Sequence, residues 1–111
     1  MHFSEYQLKA AQTAIYPRQG TQDGLEYCIF GLMSEAGELC GHYSKCIRDK
    51  NKVLDDEMKK LILKETGDCM WFLAQIATEL KMSLEQVAEI NLKKLNDRKE
   101  RGVLGGYGDS R

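Results

Sequence analysis

Proline occurs once in this chain, at Pro17, which leaves long uninterrupted stretches between residues 21 and 101 of a kind that sheets rarely use. Helices are therefore expected throughout. At 111 residues the chain is about one domain long, enough for a single core but short enough that burial against further copies would help. One domain over residues 1–111 is expected, all-α, as a four-to-five-helix bundle completed by oligomerisation.

Local signals mark the helix ends. Ser4 followed by Gln7 has the capping-box pattern and predicts a short first helix to about Ile15, stopped by Tyr16-Pro17-Arg18-Gln19-Gly20. A long second helix is predicted over 22–48, where Lys45, Arg48 and Lys50 suit a helix C-terminus, and a third over 54–80. Ser83 with Gln86 repeats the capping box and opens a fourth, which continues to about Arg101 and ends at Gly102. Residues 102–111 hold four of the ten glycines and form a tail.

Net charge is −1 with 30% charged residues, and the two signs are interleaved. Neither a nucleic-acid polymer nor a membrane surface is expected as a partner. Cys28, Cys40, Cys46 and Cys69 make no CxxC pair, MHFSEYQLKA has no apolar leader core, and no apolar run approaches the ~20 residues that span a bilayer. Free thiols and a cytoplasmic location are expected. Cys40 and His42 lack two further ligands at suitable spacing, so no zinc site is expected from them.

The chemistry lies in acids that occupy core positions. The apolar stripe of the second helix runs Leu25, Cys28, Leu32, Glu35, Leu39, His42, Cys46, with Glu38 projecting from nearly the same face. That of the third helix runs Leu54, Met58, Leu61, Glu65, Asp68, Phe72, Gln75, Glu79. Solvated charges are the plain alternative, but turning these acids outward would also expose the leucines and phenylalanine beside them. Two like-charged i,i+3 pairs on facing helices repel, and a lone buried carboxylate costs several kcal/mol or takes up a proton. A divalent cation offsets both penalties. An all-carboxylate set of Glu35, Glu38, Glu65 and Asp68 suits a hard ion, Mg²⁺ or Mn²⁺, which typically completes its shell with substrate phosphates. The small residues Ala36, Gly37 and Gly67 inside the two tetrads suggest close helix approach there.

ExxE at 35–38 and ExxD at 65–68, separated by 26 residues, resembles the signature of the all-α nucleoside triphosphate pyrophosphohydrolases and of their MazG-like branch. Gly31-Leu32-Met33-Ser34-Glu35-Ala36-Gly37-Glu38 and Lys64-Glu65-Thr66-Gly67-Asp68 are similar to that family's two core helices. Asn91-Leu92-Lys93-Lys94-Leu95-Asn96-Asp97-Arg98 resembles its N-x-x-K-L-x-x-R helix, and Arg101 to Asp109 the glycine-rich ending of some members, from which Tyr107 and Ser110 depart.

The resemblance implies Mg²⁺-dependent hydrolysis of a nucleoside triphosphate to the monophosphate and pyrophosphate. It also implies metal-binding and catalytic roles for Glu35, Glu38, Glu65 and Asp68, and assembly as a homodimer or homotetramer. Asn91, Lys94 and Arg98, at helical steps of three and four, are the candidates for contacting phosphate, with Lys45 and Arg48 as weaker ones. Trp71, Phe72, Phe30, Tyr6 and Gln7 are candidates for a nucleobase slot. Two alternatives stand beside this reading: a helical module that binds nucleotide or cation without turnover, and a phosphoribosyl-ATP pyrophosphohydrolase.

Overall fold

In a computed structural model that describes residues 1–111, the chain folds into four helices and no strand: α1 (Phe3–Ala11), α2 (Gln22–Lys50), α3 (Asp56–Glu79) and α4 (Leu84–Glu100). Thr21 caps α2 by accepting from the Gly24 N–H, and Asn51 ends it in the left-handed conformation with φ 51°. Asp55 caps α3, its carboxylate accepting from the Met58 N–H at 2.8 Å. The capping box of α4 is complete: Ser83 Oγ accepts from Gln86 N–H at 3.0 Å, and Gln86 Oε1 accepts from Ser83 N–H at 2.8 Å.

The start of the chain departs from its sequence signal. His2 takes the N-cap position of α1 with no side-chain cap bond, and the helix stops at Ala11, well short of Ile15. Gln7 is drawn away from the box by more distant partners. Its amide donates to Thr78 Oγ1 and to the Met82 carbonyl, and its Oε1 accepts from the Leu84 N–H at 2.8 Å. The last two are backbone groups at the α3–α4 turn that have no helical partner, so one side chain satisfies what the turn leaves open.

The antiparallel pair α2 and α3 is the spine, while α1 lies against α3 and α4, and α4 touches α1 and α3 but not α2. Close approach falls at Gly31, between the two spine helices, and at Gly24, against the α1–α2 connection, instead of inside the acidic tetrads. A Cβ at Gly31 would sit 2.2 Å from the Phe72 ring, and one at Gly24 would sit 2.6 Å from the Arg18 carbonyl, whereas nothing lies within 4 Å of Gly37 or Gly67. The α1–α2 connection is pinned to the end of α3 by Glu79, which accepts from the Tyr16 hydroxyl and, at 2.9 Å, from the Gly20 N–H. Burial and this carboxylate push the Tyr16 hydroxyl well above the ordinary tyrosine range. Its ring stacks on Tyr27 at 5.4 Å and meets Trp71 edge-on at 6.4 Å.

Replacing Gly31 with alanine is expected to cost about 1–3 kcal/mol in urea denaturation, the scale of overpacking against an aromatic ring. Gly67→Ala, with open space around it, is expected to be neutral or to stabilise by up to about 1 kcal/mol through helix propensity. Equal effects at the two positions would contradict the close approach at Gly31.

Candidate functional site

Stripe positions on α2 and α3 bring the acids to the seam between the two helices. One carboxylate oxygen each from Glu35, Glu38 and Glu65 lies within 4.8 Å of the others. Glu65 is 1% exposed, deeper than most of the apolar residues of the protein. His42 explains how such depth is tolerated: its Nε2 meets Glu65 Oε1 at 3.0 Å across the seam. This contact, opposed by burial and helped by Lys64, holds the Glu65 carboxyl below the usual glutamate range. Glu65 Oε2 is buried with no hydrogen-bond partner.

Asp68 stands just outside this trio. It joins Glu35, Thr13, Trp71 and Phe72 in lining a cleft of about 320 Å³. Burial, followed by the charges of Glu38, Asp68 and Glu65, pushes the Glu35 carboxyl above the glutamate range. The Cys69 thiol is raised by burial and then by Glu35, Asp68 and Glu65, and the Tyr6 hydroxyl by burial and then by Asp68. Four acids therefore share one field along the seam, three of them in near contact and the fourth facing the cleft.

The aromatic side of the cleft is ordered. Trp71 and Phe72 meet edge-to-face with centroids 4.9 Å apart, and Trp71 Nε1 donates to Thr13 Oγ1 at 2.8 Å. Two of the sequence candidates for a base slot therefore adjoin the acids. Phe30 is 71% exposed, and Gln7 is committed to the α3–α4 turn.

The basic face of α4 is engaged elsewhere within the chain. Lys94 Nζ lies 3.1 Å from Asp109 Oδ1, Arg98 Nη2 lies 2.9 Å from the same oxygen, and Arg98 also donates to the Asp109 carbonyl. Arg98 is 5% exposed, and the two cations hold Asp109 below the aspartate range, Arg98 first. Asn91 faces an apolar groove with Phe3, Met70 and Leu73. Arg48 pairs with its neighbour Asp49 at 2.8 Å. Sequence reasoning overlooked Thr13 and the pairing of His42 with Glu65. A signal for the latter existed, since His42 falls on the stripe that carries Glu35.

The donor set fits a hard divalent cation: carboxylate oxygens only, close enough to repel one another, with one buried oxygen lacking any partner. Fold and site together define an all-α protein with a carboxylate cluster between its two longest helices. Residues 24–103 match the MazG nucleotide pyrophosphohydrolase domain, and the chain belongs to that family. It is also 45% identical to the Gene 37 protein of Mycobacterium phage L5 over 114 aligned residues, taking in 100% of both chains. No solved structure matches it.

Burial of Glu35, with charge repulsion at the seam, yields a stability prediction. Glu35 binds its proton more tightly folded than unfolded, so stability falls as pH rises between its ordinary value and its raised one. In EDTA at pH 7, Glu35→Gln is therefore expected to melt above the parent protein. The advantage should vanish once the pH drops below the ordinary glutamate range, near 4.3. A lower melting point for Glu35→Gln at pH 7 would mean that the ionised Glu35 is not penalised by burial and its neighbours.

Proposed function

We propose that the protein is a Mg²⁺-dependent nucleoside triphosphate pyrophosphohydrolase, Mn²⁺ serving in its place, that cleaves a ribo- or deoxyribonucleoside triphosphate to the monophosphate and pyrophosphate. The observation that carries this reading is the acid cluster itself, in which Glu65 has a buried oxygen without a partner. Family membership supports the reaction class. Glu35, Glu38, Glu65 and Asp68 would hold the cation. When bound, it would supply charge neutralisation for the phosphate chain and a more acidic water.

The remaining work falls to the chain. Glu35 belongs to both the seam and the cleft, and Asp68 lines the cleft beside it, so the two would orient whatever sits between cation and substrate. One of the four carboxylates, where it is not committed to the cation, would take the proton from an attacking water. Trp71 and Phe72 offer an aromatic wall for a nucleobase, adjacent to the acids. Lys94 and Arg98 contribute to phosphate binding only by sharing or releasing Asp109. The four free thiols support a reducing, cytoplasmic setting, and no helix is long and apolar enough to cross a membrane.

A panel of ribo- and deoxyribonucleoside triphosphates with pyrophosphate detection tests the proposal. At least one is expected to yield pyrophosphate with Mg²⁺ or Mn²⁺ and none with EDTA. Glu38→Gln and Asp68→Asn should each lower kcat by about a hundredfold or more, the scale of removing a transition-state charge stabiliser. Binding without product across the panel would favour the non-catalytic module instead, and turnover of phosphoribosyl-ATP alone would favour the third reading.

The same proposal includes a homodimer or homotetramer. The radius of gyration is 16.9 Å, against about 13 Å for a compact chain of this size. Only 11 of 111 residues are buried, while Phe30, Met33, Leu63 and Leu73 stand exposed on α2 and α3. Sedimentation equilibrium at micromolar concentration is expected to give at least twice the 12.7 kDa chain mass; a monomer at that concentration would overturn this part.

A further inference from the structure

His42 shares a face of α2 with Glu35 and Glu38, seven residues after the first and four after the second. It extends across the seam to Glu65 Oε1 at 3.0 Å, with its side chain 25% exposed. The other cation near that carboxylate is a poor holder: Lys64 Nζ is 3.9 Å away and 70% exposed, where an ion pair contributes little. Glu65 Oε2 has no partner at all. One contact of hydrogen-bond quality from another side chain therefore fixes this carboxylate, and it comes from His42.

That contact matters because the last torsion of a glutamate is broad and roughly two-fold. Left alone, the carboxylate would turn freely and present either oxygen at any angle. An ionised carboxylate only accepts hydrogen bonds, so the ring nitrogen facing it carries the hydrogen. A donor at Oε1 selects one orientation and leaves Oε2, buried and without a partner, as the free oxygen. The same nitrogen, spent as a donor, is not free to bind a metal.

We propose that His42 is a positioning residue for the cation centre, which donates from Nε2 to Glu65 Oε1, leaves Oε2 as the free oxygen, and thereby sets divalent-cation affinity without being a ligand. This inference rests on reading the cluster as a cation centre. Hydrogen-bonding partners of metal-ligating groups typically govern affinity by about 10–100-fold, which is the effect at stake here.

The test is Mn²⁺ titration of the full chain, followed by the electron paramagnetic resonance of the free ion, beside melting of each variant in EDTA. His42→Phe removes the donor and is expected to weaken Mn²⁺ binding by about 10–100-fold. His42→Gln can place its amide nitrogen where Nε2 stood and should bind Mn²⁺ almost as the parent does. His42→Asn, whose amide falls short of Glu65, should be as weak as His42→Phe. A merely structural role would make affinity follow the melting point in EDTA; positioning makes the Gln and Asn variants differ in affinity at similar melting points. If His42→Phe does not fold, the Gln and Asn pair decides alone. Parent-like Mn²⁺ affinity in the Phe and Asn variants would overturn the role of His42 and leave the cation centre intact. No Mn²⁺ binding by the parent protein would overturn both.

Discussion

A carboxylate taken out of water must be given a hydrogen-bond donor, a cation or a proton, and Glu65 places that demand at the middle of the α2–α3 seam. Its depth follows from the helix pattern: turning α3 to free it would also lift Met58, buried two turns earlier on the same face, out of the seam. His42 meets the demand at one oxygen and leaves the other open. Glu35 and Glu38 then crowd the same space from α2. Each element that holds the seam closed, from the Gly31–Phe72 contact to the Glu79 anchor of the α1–α2 connection, therefore also holds three negative groups together. Stability of the metal-free chain and readiness for a cation pull in opposite directions at Glu35. Its carboxyl is raised by burial and by its neighbours, the strain expected of a site shaped for something positive.

Much of this was legible in the sequence because helices are written locally. Apolar spacing placed Glu35, Glu65 and Asp68 in line with the core, and the Ser83–Gln86 box and Gly102 marked the bounds of α4 to within a residue or so. What escaped was set by contacts between distant parts of the chain. The Ser4–Gln7 pattern has the right spacing for a cap, yet Gln7 serves a turn more than seventy residues away in sequence, because unpaired backbone groups there outbid a cap exposed to water. The tetrad glycines suggested close packing, but which glycine meets a neighbour depends on the register of the two helices. That register puts Phe72 opposite Gly31. His42 was visible on the stripe, but its partner was not, since 23 residues and a turn separate it from Glu65.

The fourth helix shows how a correct pattern can carry an incomplete meaning. Lys94 and Arg98 do share a face, and that face does bind a carboxylate, but the carboxylate is Asp109 of the same chain. Arg98 is too deeply buried to stand unpaired, so the tail is as much its counterion as a terminus. Arg111 tightens the arrangement, donating to the carbonyls of Val103, Leu104, Gly105 and Gly108 so that the glycine-rich segment folds around its guanidinium. The backbone of a tail with few side chains of its own is thereby satisfied.

Unsatisfied apolar surface argues for the remaining step. α4 leaves α2 untouched, so the face of α2 that carries Phe30 and Met33 has no cover within the chain. Nothing approaches Gly37, Gly41 or Gly67, and a helix brought against that side would meet little steric resistance beside the acids. Two long helices joined in one pair bury only one stripe each, and helix pairs reach stable burial when a second pair packs against them. A second copy of the chain would supply such a pair with matching chemistry. Its arrival would thicken the low-dielectric wall around Glu35, Glu38 and Glu65, raising both the repulsion among them and the attraction each exerts on a cation. If assembly tightens the cluster's hold on a cation in this way, the cation must favour assembly by the same factor.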